Sequence, residues 1–217
     1  MSAYATDSII SAHRVKEEIS ASDFFHAEWE RARAVSLVRY WSGEDAPPER
    51  HTEARLIWSD KSLCVRFVCR QQEPLVISDE PQTEEKRLAL WERDVCEIFI
   101  APDADVPERY FEFEAAPTGE WIDLAIGWKR DGRETDWHYH SGMKAAGRIE
   151  EARVIIAMSV PWEAFGRQPQ AEEMWRANLF RCVGSGANRG YLAWQPTHTP
   201  QPNFHVPQAF GQLRFDK

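Results

Sequence analysis

Paired acids and isolated tryptophans are the residues of this chain whose types and spacing can do chemistry. In "RYFEFEAA" (109–116), Glu112 and Glu114 stand two apart in an alternating run. As a strand, that run puts both carboxylates on one face, roughly 7 Å apart. Glycoside hydrolysis needs two carboxyl groups about 5–5.5 Å apart for retention or about 6.5–9.5 Å for inversion, so the pair is geometrically admissible. The same run also describes an amphipathic strand with a solvated charged face, and that is the expectation for it. Asp103 and Asp105, in "APDADVPE", offer loop oxygens of the kind that coordinate calcium, without EF-hand spacing. His138 and His140, in "DWHYH", would share one face of a strand and supply half a metal site. No third ligand stands near them in the sequence, so hydrogen-bonded or exposed histidines are expected. His205, before the last strand, is read as structural.

The chain has ten tryptophans in 217 residues. Trp58, Trp121 and Trp128 fall within strands, and Trp162 and Trp175 flank a short helix, so these read as core or sheet-face aromatics. Trp91 opens "LWERDVCEIFIAPD" at a loop-to-strand junction among charges, and Trp194 ends a strand just before "QPTHTPQPN". Both positions would present a ring at a rim. A flat aromatic suits the apolar C–H face of a sugar, with polar neighbours for the hydroxyls. Each ring, taken alone, reads first as structural. GxSxG, P-loop and GxGxxG patterns are absent, and "GSGANRG" (184–190) reads as a flexible turn.

The elements that must hold these residues are strands. Short runs rich in β-branched and aromatic residues recur between turn clusters at 33–41, 52–59, 62–71, 94–101, 109–116, 120–128, 152–160, 176–184, 191–195 and 210–215. "PTG" joins two of them with a glycine where positive φ is expected. Only "SASDFFHAEWERA" and "PWEAFG" look helical, capped by Asp23 and begun by Pro161 respectively. So many strands without long intervening helices exclude a parallel α/β sheet. The expectation is all-β: one antiparallel two-sheet, jelly-roll-like β-sandwich domain over 1–217 with one or two short helices. The long loops 43–53, 72–90 and 196–207 should gather at its ends, where loops of that length carry function.

A hydrophobic fraction of 43% gives a globular chain, and a net charge of −9 without a basic cluster argues against a nucleic-acid partner. The sequence lacks the run of about twenty apolar residues that a membrane span needs, so no membrane partner is expected. The N-terminus does not read as a secretory signal. The four cysteines, Cys64, Cys69, Cys96 and Cys182, have no zinc-ligand spacing and read as reduced, partly buried thiols. The expected location is cytoplasmic, or secreted where a signal peptide has been removed.

The order of "ARLIWSDKSLCVRFVC", "LWERDVCEIFIAPD", "YFEFEAAPTGEWIDL", "VIIAMSVPWEAFG", "WRANLFRC", "LAWQPT" and "NFHVPQAFGQLRF" resembles the family 9 carbohydrate-binding modules. More closely it is similar to the stand-alone bacterial family 9-like proteins, over about residues 50 to 216. The resemblance implies a β-sandwich, often with bound calcium, in which two tryptophans clamp a terminal sugar of a glucan or related chain. Trp91, in W-x-x-D-x-x-E-I-F, matches the first clamp position; Trp194 is the candidate for the second. Glu97 matches the carboxylate that accepts hydrogen bonds from sugar hydroxyls. Where sugar-binding members place an Arg near the ligand, this chain offers Glu112 and Glu114, and an amide before the second Trp is replaced by Tyr191.

The function so implied is non-catalytic binding of a glucan- or xylan-type oligosaccharide or polysaccharide by Trp91, Glu97, Glu112 and Trp194. No cofactor is required beyond a structural calcium at Asp103 and Asp105, and a glycoside hydrolase is the implied partner in polysaccharide catabolism. Two alternatives remain open from the residues: a haem-binding sandwich ligated by Met143 or Met158 with His205, and a glycoside-active enzyme using Glu112 or Glu114 with Glu97.

Overall fold

The structure, a computed structural model, describes residues 8–217. The first seven residues, and with them the start of the N-terminal stretch read for a signal, lie outside the described residues.

The chain is mostly strand. In order it forms β1 (Ile9–Arg14), a one-turn helix α1 (Glu28–Arg31), β2 (Val35–Leu37), β3 (Arg39–Tyr40), β4 (Thr52–Trp58) and β5 (Ser62–Arg70). There follow β6 (Val95–Ala101), β7 (Arg109–Ala115), β8 (Trp121–Lys129), β9 (Gly132–Asp136), β10 (Lys144–Ile149) and β11 (Arg153–Pro161). The last strands are β12 (Met174–Val183), β13 (Gly190–Ala193) and β14 (Gly211–Phe215).

The two-sheet antiparallel description needs correction. The strands form one 14-stranded hydrogen-bonded network, with eleven in the order β10-β11-β5-β4-β1-β14-β12-β6-β7-β8-β9 and the other three branching from it, β2 on β4, and β13 on β12 with β3 beyond it. β1 joins its halves through parallel pairs, with Ile10 opposite Leu213 of β14 and Ala12 opposite Leu56 of β4. The sheet is mixed because the N-terminal segment, too short in pattern to read as a strand, fills the gap between two runs that would otherwise end in open edges.

The network curls so that the β4, β5 and β11 half faces the β6, β7 and β12 half. The largest core cluster draws Leu56, Phe67 and Ile156 from one half and Ile98, Phe113 and Leu179 from the other. Cys69 and Cys96 meet across this core with their sulfurs 3.4 Å apart, and all four cysteines are free and buried. Trp58, Trp121, Trp162 and Trp175 are buried as expected. Their indole N–H groups donate to the carbonyls of Asp216, Thr83 and Ser59 and to the Glu173 carboxylate, which removes the cost of burying them.

Both expected helices are shorter than read. α1 covers four residues, its N-cap is Ala27 rather than Asp23, and "PWEAFG" forms a single 3-10 turn after Pro161 that ends at Gly166 with φ 66°. The "PTG" connection behaves as expected, with Gly119 at φ 87° between β7 and β8. Among the described residues no helix is long and apolar enough to cross a membrane.

Candidate functional site

The strict two-residue period of β6, β7 and β8 decides which side chains reach the site. Cys96, Ile98 and Ile100 point into the inner core, as do Phe113 and Ala115. The alternate residues Val95, Phe99, Tyr110, Ile122 and Leu124 face the other way and build a second cluster with Phe180 and Cys182 of β12. Glu97, Glu112 and Glu114 belong to that second face. Glu97 lies opposite Glu114 across the β6/β7 pair, and Glu112 lies opposite Phe99.

Loops close over this face without sealing it. Phe204, from the 196–207 loop, stacks on Phe180 with ring centroids 4.0 Å apart and planes 10° from parallel. Trp41 ties the same loop down through its indole N–H to the Thr199 carbonyl. The 72–90 loop packs elsewhere, on the inner-core face of β8, where Lys86 pairs with buried Asp123 at 2.6 Å and Trp121 donates to the Thr83 carbonyl. Phe204, Trp91 and Trp137 line an open cleft of about 570 Å³ above this face.

Trp91 stands at the rim of this cleft, 36% exposed, on a 3-10 turn (Leu90–Glu92) entered through Ala89 in a left-handed conformation, φ 58°. Arg189 holds that turn in place: its guanidinium donates to the carbonyls of Gly184, Trp91 and Arg93 at 2.6–2.7 Å. Asp94 ties the same junction from below, accepting the backbone N–H groups of Gly184 and Val76. The stretch 184–190 is therefore a brace for Trp91 and not a free turn.

The second rim tryptophan is Trp137 and not Trp194. Trp137, 46% exposed, follows β9, and its ring centroid is 6.2 Å from that of Trp91, with the planes 46° apart. Trp194 is 3% exposed in the inner core, packed against Gly211. The reason is parity: on β13, Tyr191 and Ala193 face the cleft side, so Leu192 and Trp194 face inward. A clamp of Trp91 with Trp194 does not exist. Nor do Trp91 and Trp137 leave a slot, since stacking a pyranose between two rings takes about 7–8 Å of separation, twice a carbon contact distance. They form one angled aromatic wall.

The cleft floor is acidic and buried. Glu97, Glu112 and Glu114 are 2%, 3% and 0% exposed, so the expectation of a solvated charged face on β7 is wrong: the loops that cover it come from distant sequence. Burial, then the neighbouring Glu112 carboxylate, pushes the Glu97 carboxyl up to about 8. Burial also raises Glu112, and burial with the charges of Glu97 and Glu112 holds Glu114 well above the carboxylate range. Glu97 Oε1 accepts from the Cys182 thiol at 3.4 Å. One carboxylate oxygen from each of the three lies within 4.8 Å of the others, close enough to share a cation.

His205 is more than structural. It lines the cleft, shares a hydrogen bond of 2.9 Å with the Tyr110 hydroxyl through Nδ1, and places Nε2 3.8 Å from Glu112. Burial lowers it to about 3, so the imidazole is neutral at physiological pH. Positive charge enters from Arg133 on β9 and from Arg189, and an amide from Asn203, each in the lining. Arg133 and Asn203 thus bring a cation and an amide to the cleft from elements other than those on which the resemblance places them.

The remaining sequence candidates lie elsewhere. Asp103 and Asp105 sit exposed in the turn after β6, where Asp103 Oδ1 accepts the Asp105 N–H at 3.0 Å. They are not part of the acidic cluster. His138 and His140 fall in the turn after β9 and not on a strand face, and His140 packs on Trp121. Met143 and Met158 are in the inner core while His205 lies in the cleft, so a Met–His haem pair does not form.

Comparison with known proteins agrees with this architecture. The family model described as Carbohydrate-binding family 9 matches residues 32–215. No curated protein matches the chain. Among solved structures, a candidate carbohydrate-binding protein from Bacteroides uniformis superposes with a TM-score of 0.76 at 18% identity, covering 96% of this chain and 99% of its own. A family 9 carbohydrate-binding module from Caldicellulosiruptor kristjanssonii in complex with glucose gives 0.63 at 13% identity, covering 96% and 95%. The same organism's module in complex with cellotriose gives 0.65 at 13%, covering 96% and 93%. At these identities the likeness is one of fold; the family match spans most of the chain, and the chain belongs to carbohydrate-binding family 9.

Proposed function

We propose that the cleft binds an oligosaccharide of the glucan or xylan type without chemical conversion. The carrying observation is the pairing of an exposed Trp91/Trp137 wall with a floor of three buried carboxylates, of which Glu112 Oε2 and both oxygens of Glu114 have no hydrogen-bond partner. A sugar ring answers both features at once. Its C–H face covers apolar indole surface, and its equatorial hydroxyls donate to acceptors that each cost about 1–3 kcal/mol when left buried and unpaired. Arg133 and Asn203, also in the lining, offer further donors. Family membership, and the glucose and cellotriose carried by the two neighbouring modules, support the same reading.

The arrangement favours binding over hydrolysis. Glycosidases flank the scissile bond with their two carboxyl groups. Here all three carboxylates are side by side on adjacent strands of one floor, with Glu97 facing Glu114 in register.

Titration with glucose, cellotriose and xylo-oligosaccharides, followed by tryptophan fluorescence and calorimetry, tests the proposal. Saturable binding in the micromolar to millimolar range is expected, about −8 to −4 kcal/mol, because a small ligand makes few contacts. Absence of binding to every member of the panel by the folded protein would refute it.

A further inference from the structure

The floor gathers buried carboxyl oxygens that the protein itself leaves unpaired. Glu112 Oε2, Glu114 Oε1 and Glu114 Oε2 are buried and unpartnered, and Glu97 uses only Oε1, toward the Cys182 thiol. The nearby cationic side chains do not bond to these oxygens. Arg189 spends its donors on the carbonyls of Gly184, Trp91 and Arg93, and Arg133 is exposed at the rim. His205 Nε2 is 3.8 Å from Glu112, too long for a hydrogen bond.

We propose that Glu97, Glu112 and Glu114 form a binding site for a divalent cation of the calcium class at the floor of the cleft. Burial without a counter-charge keeps protons on these carboxyls, and a cation placed among them would displace the protons and supply the missing counter-charge. The donors are hard oxygens, which select calcium-like ions over metals that prefer sulfur or imidazole. Calcium holds oxygens at about 2.3–2.6 Å, so two oxygens on one ion are at most about 4.6–5.2 Å apart. One oxygen from each glutamate lies within 4.8 Å of the others, so an ion fits with little rearrangement. Calcium takes about six to eight oxygens. Three carboxylates leave coordination positions open toward the cleft, where water or a pair of sugar hydroxyls completes the sphere. This site is separate from the exposed Asp103/Asp105 turn, whose carboxylate is engaged by its own backbone.

Terbium, a luminescent stand-in for calcium, gives a readout that needs no sugar. Protein freed of metal with EGTA is titrated with terbium under excitation of tryptophan, since Trp91 and Trp137 line the same cleft. Saturable sensitised emission is expected, displaced by excess calcium. Glu114→Gln and Glu112→Gln should each weaken it about tenfold or more, because calcium affinity follows the number of charged ligands. Asp103→Asn should leave it unchanged.

Circular dichroism and the thermal midpoint establish that each variant is folded, and the two glutamine variants serve as checks on each other. The inference fails if folded wild-type protein shows no saturable emission. It fails equally if emission survives unchanged in both glutamine variants, or disappears with Asp103→Asn. A sugar titration in EGTA, run in parallel, separates this result from the sugar-binding reading.

Discussion

Glu97 and Glu114 face each other in register across β6 and β7, both buried, and among the described residues no arginine or lysine hydrogen-bonds to either. Two acids directly opposite on a sheet, kept uncharged only by burial, are a cost that a stable protein carries only where something else is gained. Here the gain is a polar floor beneath an aromatic rim, the combination a sugar-binding cleft needs.

The floor makes stability depend on pH. The Glu97 carboxyl is raised from its ordinary 4.5 to about 8 by burial and then by Glu112. Between those values the folded state holds a proton that the unfolded state has released, so stability falls as pH rises through that window. Free of sugar and metal, the protein should be more stable to urea at pH 6 than at pH 8, and Glu97→Gln should flatten the difference. A denaturation midpoint that rises from pH 6 to pH 8 in the wild type would contradict this.

The two rim tryptophans should behave differently from the buried one. Trp91→Ala and Trp137→Ala should each weaken oligosaccharide binding about tenfold, or about 1.4 kcal/mol, with little change in thermal midpoint. Trp194→Ala should instead destabilise the fold by about 3–5 kcal/mol, because it empties a filled core position. Calorimetric titration and chemical denaturation of the three variants distinguish the roles.

Packing around Trp194 gives an independent check. A Cβ built on Gly211 would lie 2.4 Å from the indole, so Gly211→Ala forces Trp194 or β14 to shift. The expected cost is about 1–3 kcal/mol, read from the urea midpoint.

Arg189 acts on the ligand only through Trp91. Arg189→Ala frees three backbone carbonyls around the rim turn and should lower sugar affinity several-fold. A red-shifted, more accessible tryptophan emission should accompany the loss, whereas a purely electrostatic role would leave the emission unchanged. Arg189→Lys should restore only part of it, since one ammonium cannot reproduce the guanidinium fork.

How much of this was legible in the sequence depends on the element. The alternation of "DVCEIFIA" and "RYFEFEAA" gave β6 and β7 and placed Glu112 and Glu114 on one face. Their burial was hidden, because the loops that cover them carry Phe204 and Trp91 from far along the chain. β9 was missed because "GRETD" has no apolar alternation, and with it went Arg133 and Trp137. Trp194 was assigned to the wrong side because β13 has only four residues, too few to show which alternate position faces the core. β1 was missed because its role is a parallel pairing with strands near residues 56 and 213, which no local pattern encodes.

The most direct test is a crystal structure of the protein soaked with cellotriose. The account predicts a glucose unit resting on Trp91 and Trp137 with hydroxyls directed at Glu97, Glu112 and Glu114. Sugar bound at another surface with this cleft empty, or contacts to the rim that bypass all three carboxylates, would contradict it.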